Sequence, residues 1–213
     1  MLSRKEIYYT LFLCIIYAVG IIGIALPLHP EFVRLTPLNL CVSLAVVFLY
    51  QKNWDKKLIF VFATSYFIGW LAEAIGVNYG QLFGDFYYYG DAMGWQVFKT
   101  PLTAGLLWLI VTSGVAALSN YAFEEKAWFQ KSVFGALVLV SLDILIEPVA
   151  AKLDFWQWRN HIIPLQNYVG WFVIGFIELL VYQLFIPNFK NKIAIVLLLL
   201  QFLFFGVFNL WYF

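Results

Sequence analysis

The sequence has 213 residues, of which 63% are hydrophobic and only 12% are charged, with a formal net charge of +1 at pH 7. A soluble globular domain carries about twice this charged fraction, so the chain has too little polar surface to cover a globule in water. The nearly neutral charge excludes the basic surface that nucleic-acid binding requires. The composition therefore predicts a single transmembrane domain over residues 1–213.

Seven stretches are apolar enough to span a membrane as helices, which takes about 20 residues each. In chain order they are Ile7–Pro27, Pro37–Tyr50, Lys57–Gly76, Pro101–Tyr121, Trp128–Ala150, Asn167–Ile186 and Lys192–Tyr212. The first is too long for the apolar core of a signal peptide and lacks a small-x-small cleavage site, which favours a retained span. We therefore expect an all-α bundle of about seven transmembrane helices.

The distribution of Lys and Arg predicts the orientation of this bundle. Nine of the thirteen basic residues, Lys126 among them, fall on the side of the N-terminus, whereas Arg34, Lys99, Lys152 and Arg159 fall on the other side. Basic residues concentrate on the cytoplasmic side of a membrane. We therefore expect an integral protein of the inner cell membrane with its N-terminus in the cytoplasm.

Two long loops, about Val77–Thr100 and Ala151–Gln166, then share the outer side, and both are rich in aromatic residues. The first contains Tyr79, Phe83, Phe86, Tyr87, Tyr88, Tyr89 and Trp95, and the second contains Phe155, Trp156 and Trp158. An aromatic belt at the membrane interface is one interpretation. A pocket lined by these rings is the other, and the sequence leaves both open.

Four carboxyl side chains fall inside the predicted spans: Glu73, Asp143, Glu147 and Glu178. A charged group near the middle of a membrane costs roughly 2.5–3.5 kcal/mol even on the most lenient scale, and no Lys or Arg lies deep in a span. We therefore expect these acids to be protonated, hydrogen-bonded or next to a wet cavity. Asp143 and Glu147 share a helix face because they are four residues apart. Together with Glu73 they lie beneath the aromatic loops and form a candidate site, whereas Glu178 fits a structural role.

The chemistry available to such a site is narrow. The chain has no P-loop, dinucleotide fingerprint, zinc HExxH motif or nucleophile elbow, and it lacks the Glu-x-x-His pairs of di-iron bundles. Acid chemistry without a metal or cofactor remains. A protonated carboxyl can protonate an isoprenoid double bond, and aromatic faces can stabilise the resulting tertiary carbocation. Addition of water and closure of a ring are both compatible with this composition.

Several motifs in the middle of the chain resemble those of a family of integral-membrane carotenoid biosynthesis proteins. They are Glu73 to Tyr89 with Gly76, Gly80 and Gly84, then Pro101 and Trp108, Asp143-Ile-Leu-Ile-Glu147-Pro148, Trp156-Gln-Trp158, and Pro164 to Trp171 with Asn167 and Gly170. The resemblance covers roughly Phe60 to Tyr182. The family includes bisanhydrobacterioruberin hydratases and related carotenoid hydratases that act on acyclic ends.

The resemblance implies a cofactor-free hydratase that adds water across the terminal double bond of an acyclic carotenoid in the membrane. Chemistry and predicted depth then suggest the roles. Asp143 or Glu73 would donate the proton, and Glu147 would position or deprotonate the water. The remaining candidates would line the pocket, shield the cation or orient the acid or the water: Tyr79, Tyr87, Trp156, Trp158, Asn167 and Trp171.

Three other functions stay open at this point. A membrane carotenoid cyclase of the lycopene type would use the same cation but leave the mass of its substrate unchanged. A proton-coupled carrier would also need intramembrane acids, although the internal repeat typical of many carriers is not visible. A passive carotenoid-binding protein would explain the aromatic residues but not the acids. The sequence does not predict the oligomeric state.

Overall fold

The computed structural model describes residues 3–124 and 127–212. Within them it has seven long helices: α1 (Arg4–Ala25), α2 (Thr36–Tyr50), α3 (Lys56–Tyr79), α4 (Leu102–Ala122), α5 (Trp128–Ala150), α6 (Leu165–Phe185) and α7 (Lys192–Tyr212). All seven are long and apolar enough to cross a membrane, α2 together with the 3-10 turn Val33–Leu35 before it. The predicted seven-helix, all-α bundle is confirmed, and the chain is a membrane protein. Lys126, which contributed to the predicted orientation, lies outside the described residues.

The ends of α3 show how local sequence sets the helix boundaries. Asp55 caps the N-terminus, where its carboxylate accepts a hydrogen bond from the Leu58 amide at 2.8 Å, as N-cap residues do. At the other end the helix continues three residues past the predicted limit of Gly76 and stops at Gly80, whose φ of +67° is left-handed. Glycine adopts this conformation without the steric cost of a Cβ. Gly80 thus begins the long loop.

Helix α4 is the centre of the bundle. In the most apolar stretch of α4, 83% of the residues are buried, against 22% in that of α1. Helix α4 contacts α2, α3, α5, α6 and α7. Small residues allow this close packing, because transmembrane helices associate through van der Waals contact. A Cβ on Gly114 would lie 2.7 Å from the Ala194 carbonyl oxygen and 2.7 Å from the Leu198 Cβ. Only glycine therefore fits where α4 crosses α7.

Replacing Gly114 with Ala is expected to destabilise the bundle by about 1–3 kcal/mol, because the added methyl group must push the two backbones apart. Gly206→Ala is the matched control, since nothing lies within 4 Å of the corresponding Cβ on α7. The free energy of unfolding in detergent micelles, measured for both variants, checks the prediction. Equal stability of the two variants would contradict the close helix crossing.

The two long loops contain short strands. Strands β1 (Tyr87–Tyr89) and β4 (Trp156–Trp158) pair in antiparallel register, and β2 (Gln96–Val97) and β3 (Thr100–Pro101) form a hairpin. Strands of two or three residues are too short to give a periodic hydrophobic pattern, which is why they were not predicted. The β1–β4 pair, here called the aromatic ribbon, ties both loops together over one end of the bundle.

The register of the aromatic ribbon places four aromatic side chains on one face. Tyr87 is opposite Trp158, and Tyr89 is opposite Trp156. Because side chains alternate along a strand, these four rings share the face that is packed on the helices, while Tyr88 on the other face is 54% exposed. Four aromatic hydrogen-bond donors are thereby held directly over the ends of α3 and α5.

Candidate active site

Glu73, near the end of α3, is buried and holds three hydrogen bonds from neutral groups. Its Oε2 accepts from the hydroxyl groups of Tyr87 at 2.5 Å and Tyr89 at 2.8 Å. Its Oε1 accepts from the indole nitrogen of Trp108 on α4 at 2.9 Å. Buried polar atoms need such partners. This carboxyl is therefore fixed in orientation from the ribbon above and from the central helix beside it.

Gly76 explains how Tyr87 approaches α3 so closely. It lies three residues after Glu73 on the same helix, and a Cβ at this position would be 2.5 Å from the Tyr87 hydroxyl oxygen and 2.6 Å from the Phe83 ring. The absence of a side chain opens the space in which the phenol lies. The glycine is thus required by the hydrogen bond between Tyr87 and Glu73.

The two tyrosines belong to the loops and remain protonated. Burial raises the pKa of Tyr87 and of Tyr89 well above the usual value for a phenol, and a negative charge on Glu73, when this acid is ionised, raises both pKa values further. A nearby negative charge and loss of hydration both disfavour a phenolate. Both hydroxyl groups therefore act as hydrogen-bond donors to Glu73 throughout the physiological pH range.

Glu147, on α5, is the second buried acid beneath the ribbon. Its Oε2 accepts from the indole nitrogens of Trp158 at 2.7 Å and Trp156 at 3.4 Å, and its Oε1 accepts from the Asn167 amide at 3.1 Å. The two indoles reach the same oxygen because they are two residues apart on one strand. The ribbon thus supplies phenols to one acid and indoles to the other.

Asp143 lies one helical turn before Glu147 and connects to it through Asn167. The same side-chain nitrogen of Asn167, on α6, donates to Asp143 Oδ2 at 2.6 Å and to Glu147 Oε1 at 3.1 Å. Asp143 is fully buried, and its Oδ1 has no hydrogen-bond partner among the described residues. Leaving such an oxygen without a partner costs free energy. Because one nitrogen of Asn167 bonds both acids, Asn167 fixes the relative position of the two carboxyl groups on α5.

A cavity of about 10 Å³ lies among these groups, which is room for one water molecule. Its wall consists of Glu73, Tyr87, Glu147, Trp156, Trp158, Asn167 and Trp171. All seven were singled out from the sequence. The two other candidates are not part of this wall: Asp143 bonds Asn167, and Tyr79 is 66% exposed at the end of α3. The structure therefore brings seven of nine candidates to one small polar cavity.

Sequence reasoning missed two of the partners of Glu73. Tyr89 was noted only as a loop aromatic, although its spacing of two residues from Tyr87 would place both on one side of a strand. Trp108 was noted only as part of a motif. In the structure it donates to Glu73 and stacks on Trp171, with ring centroids 4.3 Å apart. No local sequence signal predicts that contact, because it joins α4 to α6.

Glu178, the fourth intramembrane acid, belongs to a separate polar group. Its Oε2 accepts a hydrogen bond from Ser65 at 2.5 Å, and the Ser65 hydroxyl lies 2.8 Å from that of Thr112. These side chains join α3, α4 and α6 inside the bundle, and Glu178 does not line the small cavity. It therefore serves as an internal comparison for the acids that do.

The donors around the cavity do not form a metal-ligand set. In residues 3–124 and 127–212, no group of three or more His, Cys, Asp or Glu side chains is placed to hold a metal ion. The groups around Glu73 and Glu147 are instead phenols, indoles and an amide. This arrangement can hold two carboxyl groups and a water molecule within reach of a proton transfer.

Comparison with known proteins assigns a family. A family model described as carotenoid biosynthesis protein matches residues 35–213. The matched part includes α2 to α7 and every residue around the small cavity. No curated protein and no solved structure matches the chain.

Proposed function

The chain belongs to the carotenoid biosynthesis protein family, and we propose that within carotenoid biosynthesis it is a hydratase. It adds water across the terminal double bond of an acyclic carotenoid end group and forms a tertiary alcohol. The observation that supports this most directly is the pair of buried carboxyl groups, Glu73 and Glu147, at a cavity with room for one water. The distribution of basic residues supports the inner cell membrane, with the N-terminus in the cytoplasm.

The first step is protonation of the alkene by Glu73. The carboxylic acid gives its proton to the less substituted carbon of the double bond, and the π electrons form the new C–H bond. The adjacent carbon becomes a tertiary carbocation, and Glu73 becomes a carboxylate. Hydrogen bonds from Tyr87, Tyr89 and Trp108 stabilise this carboxylate as its charge develops, which is how preorganised donors lower a barrier.

The second step is addition of water with Glu147 as the base. A water in the small cavity donates an electron pair to the cation to form the C–O bond, and its proton passes to the Glu147 carboxylate. One proton has then left Glu73 and one has arrived at Glu147, so the reaction consumes only water. Because both acids line the same cavity, the next water can return the proton from Glu147 to Glu73.

Asp143 is better suited to positioning than to donating the proton. It does not line the cavity, and it accepts a hydrogen bond from the same Asn167 nitrogen that donates to Glu147. Of the two proton donors considered from the sequence, the geometry therefore favours Glu73. In this assignment Asp143 orients Asn167, and Asn167 orients the base.

Aromatic rings protect the cation from premature side reactions. Tyr87, Trp158 and Trp171 line the cavity together with the two acids. A cation near the face of an aromatic ring gains about 0.5–2 kcal/mol, with the larger values when the pair is desolvated. The ribbon also separates the cation from bulk water, which restricts attack to the bound water molecule.

Co-expression in a host that accumulates a linear carotenoid tests the proposal. We expect a new, more polar pigment whose mass is higher by one water for each end that reacts. Chromatography with mass spectrometry measures this, and growth in isotopically labelled water should place the label in the new hydroxyl group. An isomer of unchanged mass would instead identify a cyclase, and unchanged pigments with the protein present in the membrane would favour a carrier or binding protein.

A further inference from the structure

A second cavity, of about 300 Å³, lies beside the acid site. Its walls come from α1, α2, α4 and α7 and from the loop residues Phe155 and Trp156. Most of the lining is aliphatic or aromatic. Its size falls at the lower end of the range for small-molecule pockets, so it could accept one end of a long molecule but not the whole of it.

This cavity reaches the lipid-facing surface between the first two helices. Val19 on α1 and Leu38 on α2 both line it, and they are 52% and 60% exposed. In a membrane, side chains exposed at this level of a spanning helix face the acyl chains of lipids. An apolar molecule dissolved in the bilayer could therefore enter sideways without crossing water.

The polar side chains in the wall already have partners within the protein. The Gln201 amide donates to the Tyr17 hydroxyl at 2.9 Å. The Thr36 hydroxyl donates to the Val33 carbonyl at 2.6 Å, and the Asn39 carbonyl oxygen accepts from Ser43 at 3.2 Å. A ligand with a charged or strongly polar head would have to break these bonds. The cavity thus suits a hydrocarbon.

One side chain separates this cavity from the acid site. Trp156 lines both the large apolar cavity and the water-sized cavity. Its hydrogen bond to Glu147 is long, 3.4 Å, while that of Trp158 is 2.7 Å, and hydrogen bonds weaken with length. Displacement of Trp156 would leave Glu147 its bonds from Trp158 and Asn167, and it would remove the side chain that is common to both walls.

We propose that the large cavity binds the acyclic end and adjoining polyene of a linear carotenoid, which enters from the lipid between α1 and α2 and displaces Trp156 to reach the two acids. This inference rests on the proposed function, since it assigns the substrate of the same site. A long hydrocarbon fits this cavity because the cavity opens to lipid and adjoins the acids, and because the polar side chains in its wall are already hydrogen-bonded within the protein.

Gly20 on α1 permits a sharp test. It lines the large cavity, and a Cβ built on it meets nothing within 4 Å. The first atom of a new side chain therefore has room, and Gly20→Phe should place its ring in the cavity. Gly206→Phe is the matched control, because its Cβ is equally free and Gly206 is not part of the cavity wall. Both variants make the same change on a transmembrane helix.

The experiment uses the full chain in a host that accumulates lycopene. We measure the lycopene that copurifies per protein, from its visible absorption, and the conversion of lycopene in the cells. Gly20→Phe is expected to lower both by about tenfold or more, because the introduced ring occupies the space of the ligand, while Gly206→Phe behaves as the wild type. Gly20→Leu, a smaller filling, replaces Gly20→Phe if the latter does not elute as a folded protein in detergent.

The outcomes separate this inference from the hydratase proposal. Retention by the wild type and loss in Gly20→Phe, with no hydrated product from either, would support the cavity and overturn the hydratase. Equal conversion by Gly20→Phe, Gly20→Leu and the wild type would overturn the cavity and leave the hydratase intact. If the wild type neither retains nor converts lycopene, both the cavity assignment and the hydratase proposal are overturned.

Discussion

Glu73→Gln and Glu147→Gln are each expected to lower the hydration rate at least ~100-fold, the usual contribution of a general acid or base. Gln has nearly the same shape as Glu but neither gives nor takes a proton at neutral pH. In Glu73→Gln the alkene lacks its proton donor, and in Glu147→Gln the attacking water lacks its base. The amount of hydrated pigment formed per folded protein in the membrane measures both effects.

Glu178→Gln is the control for these two variants. Glu178 is also a fully buried acid inside the bundle, and it also accepts a hydrogen bond from a neutral group, Ser65. It lies outside the small cavity, so its replacement should leave the rate per folded protein within about twofold of the wild type. Full activity of Glu73→Gln and Glu147→Gln would rule out the proposed mechanism. Loss of activity in all three variants alike would indicate damage to the fold.

The transmembrane spans and the acids within them could be predicted, because local composition encodes both. Each span is a run of apolar residues, and its hydropathy identifies it without knowledge of its neighbours. The three acids under the loops were conspicuous because a carboxyl in a span is costly. Trp156 and Trp158 were predicted as pocket residues because the two long loops between spans are unusually rich in aromatic side chains.

The parts that were not predicted depend on which segments meet in space. Nothing local to Tyr87 or Trp158 indicates that their strands pair, because each strand has three residues and the two are about 70 positions apart. Tyr79 shows the same limit. It is an aromatic residue close to the site in sequence, but it lies on the exposed side at the end of α3. The large cavity between α1, α2 and α7 likewise arises only from helix packing.

Asn167→Leu and Asp143→Leu are expected to lower the hydration rate by about 10- to 100-fold each, because a reacting group that is displaced by about 1 Å loses rate on this scale. Asn167→Leu removes the amide that donates to both Asp143 and Glu147. Asp143→Leu removes the acceptor that holds this amide in place. Asn120→Leu is the matched control. Asn120 is also a buried amide, but its nitrogen donates to the Phe189 carbonyl at 3.0 Å, and it does not line the small cavity.

The double variant decides whether Asp143 positions the base or supplies the proton. If Asp143 acts only through Asn167, the combined variant should be no slower than the slower of the two single variants, because the second change removes a link that is already broken. If Asp143 were itself the proton donor, its loss would be as large as that of Glu73→Gln and would multiply with the loss caused by Asn167→Leu. Rates per folded protein for the wild type, both single variants and the double variant distinguish the two roles. We expect the non-additive result, because Asn167 lines the cavity and bonds Asp143, whereas Asp143 is not part of the cavity wall.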